Sequence, residues 1–86
     1  MKIKYEFVKR EIAGEFFLVP IGEAAKKFTG MFAMNEVGAF IWDILPEAEN
    51  DEAVVKKILA EYDVEPETAA ADAGEFLNKL REMNII

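Results

Sequence analysis

The side chains able to do chemistry in this sequence are of few kinds. It holds no histidine, cysteine or serine, and its only aliphatic hydroxyls are those of Thr29 and Thr68. What remains is seventeen carboxylates, ten Lys or Arg and two tyrosines. Without His or Cys, the ordinary ligands of zinc, copper and haem are missing, along with any imidazole base or thiolate nucleophile. Carboxylates alone can hold a hard cation, and the densest run is EAENDE, Glu47 to Glu52. That run lacks the alternating ligand spacing of a calcium loop and reads as a solvated connector with a helix cap. No P-loop, GxGxxG or HExxH pattern occurs. No catalytic residue, metal or cofactor is expected, and an enzyme is the least expected class. The chemistry on offer is binding.

Charge narrows the kind of partner. The formal net charge is −7. A phosphate backbone is bound by Lys and Arg with release of counterions, so a domain this acidic repels nucleic acid unless its charges are sharply segregated. A neutral or basic peptide or protein is the better match. MKIKYEF has no apolar run of signal-peptide length, and no window nears the ~20 apolar residues of a membrane span. With cysteine absent as well, a cytoplasmic protein is expected, with no membrane partner.

The elements that must position such a site fit into 86 residues, one domain spanning 1–86. Hydrophobic residues make up 52% of the chain, including seven Phe, which compensates for the thin stability margin of a small fold. A surface groove is expected rather than a deep cavity. Ile3 to Phe7 (IKYEF) alternates apolar and polar, the period of a half-buried strand. Gly14 marks a turn, and Phe16 to Ile21 (FFLVPI) makes a second strand ended by Pro20. A third strand is placed at Lys27 to Ala33, with Gly30 as a bulge or a point of close backbone approach.

The remainder reads as three helices. Asn35 caps the first, in which Val37, Phe40, Ile41, Ile44 and Leu45 form one stripe. Gly38 and Trp42 of that helix are expected to belong to the core that holds a groove in shape. Asn50 or Asp51 caps the second helix, with Val54, Val55, Ile58, Leu59 and Tyr62 on its inner side. Pro66 opens the third, which runs to Met83. Its core stripe is Ala69, Ala73, Phe76, Leu77, Leu80 and Met83. Ala70, Gly74, Asn78 and Arg81 lie beside it, and a mid-helix glycine costs about 1 kcal/mol relative to alanine. The fold class is thus α+β, a small winged-helix-like domain of a three-stranded antiparallel β unit followed by three α-helices.

Two features carry a binding hypothesis, each with an ordinary structural alternative. If the third strand is an edge, its unpaired N–H and C=O groups are a template for another strand. Lys26 and Lys27 can blunt that edge, or an extended peptide can pair with it. Gly74 can serve tight packing within the domain, or admit a foreign backbone. A winged helix that binds DNA or acts as a transcriptional adaptor is the competing function. The acidic start of the last helix, PETAAADAGEF, argues against entry into a phosphate-lined groove.

The runs LVPIG, MNEVGAFIWDIL and VVKKILAEYDVEPETAAADAGEFLNKLREMNII together resemble the PqqD family, coenzyme PQQ synthesis protein D and its relatives. The resemblance covers about Phe7 to the C-terminus. It rests on the order and spacing of Pro20, Asn35, Ile41-Trp42, Tyr62-Asp63-Val64, Asp72, Phe76-Leu77 and Leu80. It implies the fold called a RiPP recognition element and a non-catalytic peptide chaperone. Such a protein binds the leader segment of a ribosomally made precursor peptide. It then presents that peptide to a modifying enzyme, typically a radical SAM protein, in PQQ biosynthesis or a related pathway. Mapped onto this chain, the implied groove has Lys27, Phe28, Thr29, Gly30, Met31 and Phe32 on one wall. Ala70, Ala73, Gly74, Leu77 and Arg81 form the other. The chain is expected to be a monomer or, through an exposed edge or a swapped β unit, a dimer.

Overall fold

The structure is a computed structural model and describes residues 1–86. It begins with a β-hairpin. Strand β1 (Phe7–Ile12) pairs antiparallel with β2 (Glu15–Pro20) across a two-residue turn. Both turn residues have positive φ, Ala13 at 52° and Gly14 at 83°, the sense that matches the right-handed twist of the strands. A five-residue helix, α1 (Glu23–Lys27), follows, and β3 (Phe32–Met34) then pairs antiparallel with β2. The sheet order is β1-β2-β3, so β3 is an edge strand. Helices α2 (Glu36–Ile44), α3 (Asp51–Glu61) and α4 (Pro66–Glu82) complete the chain, with one 3₁₀ turn at Leu45–Glu47.

The hairpin dictates which backbone groups remain free. A two-residue turn makes Ile12↔Glu15 the closing hydrogen-bonded pair, and hydrogen-bonded pairs then alternate along the ladder. Phe17 and Val19 therefore spend their backbone groups on β1, while Phe16 and Leu18 direct theirs to β3. Their partners across the second ladder are Met34 and Phe32. Ala33, opposite Phe17, is left with its N–H and C=O pointing outward from the sheet. Side chains alternate the other way. Phe7, Leu18, Phe32 and Met34 pack into or against the core, and Ala33 is exposed.

Three expectations change here. Met1 to Glu6 alternates in burial as its sequence predicts, yet it forms no ladder. It crosses the end of the molecule instead, with the Lys4 N–H donating to the Ile85 carbonyl at 2.7 Å and Ile3 and Tyr5 against the core. The strand is the next segment, FVKREI, whose charged Lys9 faces the helices and pairs with Asp43 of α2. The expected third strand at Lys27–Ala33 is the short β3 alone. Lys27 ends α1, and Phe28 to Met31 is an irregular connector, because Gly22 and Gly30, at φ of 59° and 75°, turn the chain at both ends of α1. A fourth helix thus stands where three were expected.

The long helices form where their signals place them. Asn35 Oδ1 accepts from Gly38 N–H at 2.8 Å and Asn50 Oδ1 from Ala53 N–H at 2.9 Å, so each caps its helix. Pro66 opens α4, and Glu65 before it makes no side-chain cap. Beyond α4, Asn84 takes the left-handed conformation (φ 60°). The Ile85 N–H then reaches the Leu80 carbonyl at 2.8 Å and the Asn84 N–H reaches Arg81 at 2.9 Å, a Schellman closure that turns Ile85 into the core.

The core lies between the sheet and the three helices. Leu18, Ile41, Leu45, Val54, Ile58, Leu77 and Ile85 are fully enclosed. Trp42 fills the space between α2 and the sheet, its ring edge-on to Phe7 at 5.7 Å. Leu59, read as an inner residue of α3, is exposed. No helix is long and apolar enough to cross a membrane.

Candidate peptide-binding cleft

Beside the free edge of β3, the sheet and α4 part to leave a cleft of about 180 Å³. This is smaller than the 300–1,000 Å³ of a typical small-molecule site, and suits one or two inserted side chains. Leu18 lies at its base. Phe32 and Met34 line the β3 side, with Val37 and Gly38 from α2 and Phe76, Leu80 and Met83 from α4. Asp72, Glu75 and Lys79 stand among the apolar residues of α4.

The glycine of α2 belongs to this site. A Cβ on Gly38 would lie 3.2 Å from Met34 Cβ and 3.3 Å from the Phe76 ring. Its missing side chain lets Met34 of β3 and the Phe76 ring of α4 pack directly onto α2 at the inner end of the cleft. Gly74, the glycine expected to line the groove, lies elsewhere. Nothing stands within 4 Å of a Cβ built there. With Ala70 and Ala73 it lines a separate open depression against Val55 and Lys56 of α3. Alanine at position 74 should therefore gain helix propensity with no steric cost, about 0.5–1 kcal/mol. Gly74→Ala is expected to melt about 2–8 °C above the parent in a calorimetric scan. Gly38→Ala is expected to gain nothing, since crowding against Met34 and Phe76 offsets the same propensity.

The other expected site residues are distributed as follows. Phe32 lines the cleft, and Met31, half exposed, lies just before β3 on the same edge. Phe28 packs among Tyr5, Phe7 and Phe32 as part of an aromatic cluster. Thr29 and Gly30 are exposed on the connector. Lys27 turns its ammonium over the Tyr5 ring, 5.7 Å from the centroid. Leu77 is wholly buried. Arg81 pairs with Asp51 of α3, whose carboxylate holds the guanidinium above its ordinary pKa. The structure thus brings together β3 and the Phe76–Leu80 face of α4, and directs the Gly74–Arg81 face to α3.

That division follows from helix geometry. At 3.6 residues per turn, Gly74 and Phe76 point about 200° apart. Two apolar or small-residue stripes run along α4, and its sequence permits either to face the sheet. The sequence signal for the cleft side is the interleaving of Asp72, Glu75 and Lys79 with Phe76, Leu80 and Met83. A stripe enclosed wholly by its own domain would carry fewer charges.

A second, shallow depression continues from the cleft past the end of β3. It shares Ala33, Met34 and Asn35 with the cleft and adds Glu11, Glu15, Phe16 and Glu36. The chain's ion pairs are Lys9–Asp43, Lys26–Glu23 and Arg81–Asp51. The carboxylates of Glu11, Glu15, Glu36, Asp72 and Glu75 take part in none of them. No three of the chain's carboxylates converge closely enough to hold a metal ion.

The family described as Coenzyme PQQ synthesis protein D (PqqD) matches residues 15–86. No curated protein matches the sequence. A solved structure titled "TbiB1 in Complex with the TbiA(beta) Leader Peptide" is similar over 99% of this chain and 93% of that one, at 30% identity and a TM-score of 0.68. A match running from the start of β2 to the last residue, on a fold shared with TbiB1 along nearly its whole length, makes this chain a member of the PqqD family.

Proposed function

We propose that this protein binds the leader segment of a ribosomally made precursor peptide as an added strand along β3 and holds it for a modifying enzyme. The observation that carries the reading is the outward N–H and C=O of Ala33 beside the cleft between β3 and α4. Main-chain pairing supplies affinity without regard to sequence, and the side chains entering the cleft supply selectivity. The similarity to TbiB1, solved with a leader peptide, supports the same role here. The binding residues are then Met31 to Met34 on the strand side. Phe76, Lys79, Leu80 and Met83 stand opposite them.

Recognition of this kind needs no catalytic group on the binding protein. Its contribution is effective concentration: a tethered leader keeps the segment to be modified near the active site of a partner. A radical SAM enzyme, the usual partner in this family, is the expected one.

An amide-resolved NMR titration tests the proposal. The ¹⁵N-labelled protein is mixed with synthetic peptides spanning the leader segments of candidate precursor peptides. The largest shifts are expected at Phe32 to Met34 and at Glu75 to Met83. Shifts confined to β1, or to the Ala70–Gly74 face with α3, would remove the basis of the proposal. A competing duplex-DNA function predicts a steep loss of binding with salt, which strand pairing does not.

A further inference from the structure

The cleft and the depression beyond it carry five carboxylates, those of Glu11, Glu15, Glu36, Asp72 and Glu75, against the single cation Lys79. None of the five has an ion-pair partner within the chain. They do not converge as a metal site does. Spread along a groove, carboxylates make a diffuse negative field, which long flexible cations can meet one at a time. Three of them, Glu11, Glu15 and Glu36, lie together in the depression at the Met34 end of β3. The apolar cleft lies on the other side of Met34.

Resting on the leader-binding reading above, we infer that the guest peptide is basic on one side only. Lys or Arg residues flank its apolar anchor on the side that reaches Glu11, Glu15 and Glu36. Charge complementarity of this kind fixes register and rejects wrong partners more than it adds affinity. It also opposes a second copy of this chain as the occupant, because the copy would bring its own charge of −7 to an acidic groove. The three glutamates are thus specificity-determining residues at the mouth of the site, where solvent and salt screen them but do not abolish their field.

Selection from a displayed library of random dodecapeptides tests this without knowledge of the natural guest. The library is selected on the parent protein, on Glu11→Gln/Glu15→Gln/Glu36→Gln, and on Glu65→Gln/Glu67→Gln/Glu82→Gln. The third protein carries the same charge change on exposed positions in α4 and at its N-cap, outside the cleft. Peptides from the parent and from the third protein are expected to show about threefold enrichment of Lys and Arg over Asp and Glu on one side of an apolar anchor. That asymmetry is expected to vanish for the first triple variant. Selected peptides that shift the Phe32–Met34 amides yet carry no one-sided basic excess overturn the inference and leave the leader reading standing. The same follows if the excess survives in the first variant. A selection that returns no peptide mapping to β3 overturns the leader reading, and this inference with it.

Discussion

Replacing Ala33 with proline is expected to weaken leader binding by about 10- to 1,000-fold while the melting temperature changes by only a few degrees. The hairpin register turns the N–H of Ala33 outward, so its loss removes no bond of the β2–β3 ladder. Proline is accepted on an edge strand where the missing donor faces solvent, and it keeps Phe32 before it in the extended region that Phe32 already adopts. A guest strand, by contrast, loses a donor and meets the ring. The lost bond costs about 0.5–1.5 kcal/mol, and a guest carbonyl left buried without a partner about 1–3 kcal/mol more. Each 1.4 kcal/mol is a tenfold change in the dissociation constant. Phe32→Pro is the internal control. Its N–H belongs to the ladder, so that variant should lose folding along with binding. Isothermal calorimetry beside a melting curve separates the two effects. Unchanged affinity in Ala33→Pro would mean that the guest does not pair with this edge.

Leu77→Ala is expected to act in the opposite manner, by loss of fold. Leu77 is wholly buried in the cluster that contains Val54, Ile58 and Ile85. Truncating such a leucine removes its transfer energy and leaves a cavity, at about 2–5 kcal/mol. Small domains have about 5–15 kcal/mol in total, so the loss is a large part of the stability. A fall of about 10–30 °C in melting temperature should follow, read by circular dichroism. At a temperature where the variant is still folded, its affinity for the leader should stay within a few-fold of the parent. A large affinity loss in the folded variant would place Leu77 at the guest surface after all, contrary to its burial.

Much of the architecture is legible in local signals. Asn35, Asn50 and Pro66 each announce a helix start through chemistry confined to one turn, and Gly14 announces the hairpin. Trp42 beside an apolar stripe reads correctly as a plug between helix and sheet, since a large ring must be buried whatever its partner. The family resemblance adds the kind of site, an edge strand beside the last helix. Errors arise where a local pattern has two lawful readings. IKYEF alternates like a strand, but alternation records which side chains are buried and says nothing of whether another strand lies alongside. FVKREI is a strand although it is charged, because Lys9 extends past the sheet to reach Asp43. The segment before β3 contains a helix of five residues, too short to declare itself by periodicity.

The sequence alone therefore determined the hairpin turn, the starts of the three long helices, the absence of thiol and imidazole side chains, and the net acidic charge of the chain. The tertiary structure decided which stripe of α4 meets the sheet. Both stripes are compatible with a buried helix. The choice is made by packing against α3, where Arg81 finds Asp51 and the small residues face Val55, leaving Phe76 and Leu80 for the cleft. It also decided that Gly38, rather than Gly74, is the glycine against which side chains pack tightly, those of Met34 and Phe76. The Phe76 contact joins segments far apart in sequence, and no spacing within one helix encodes it.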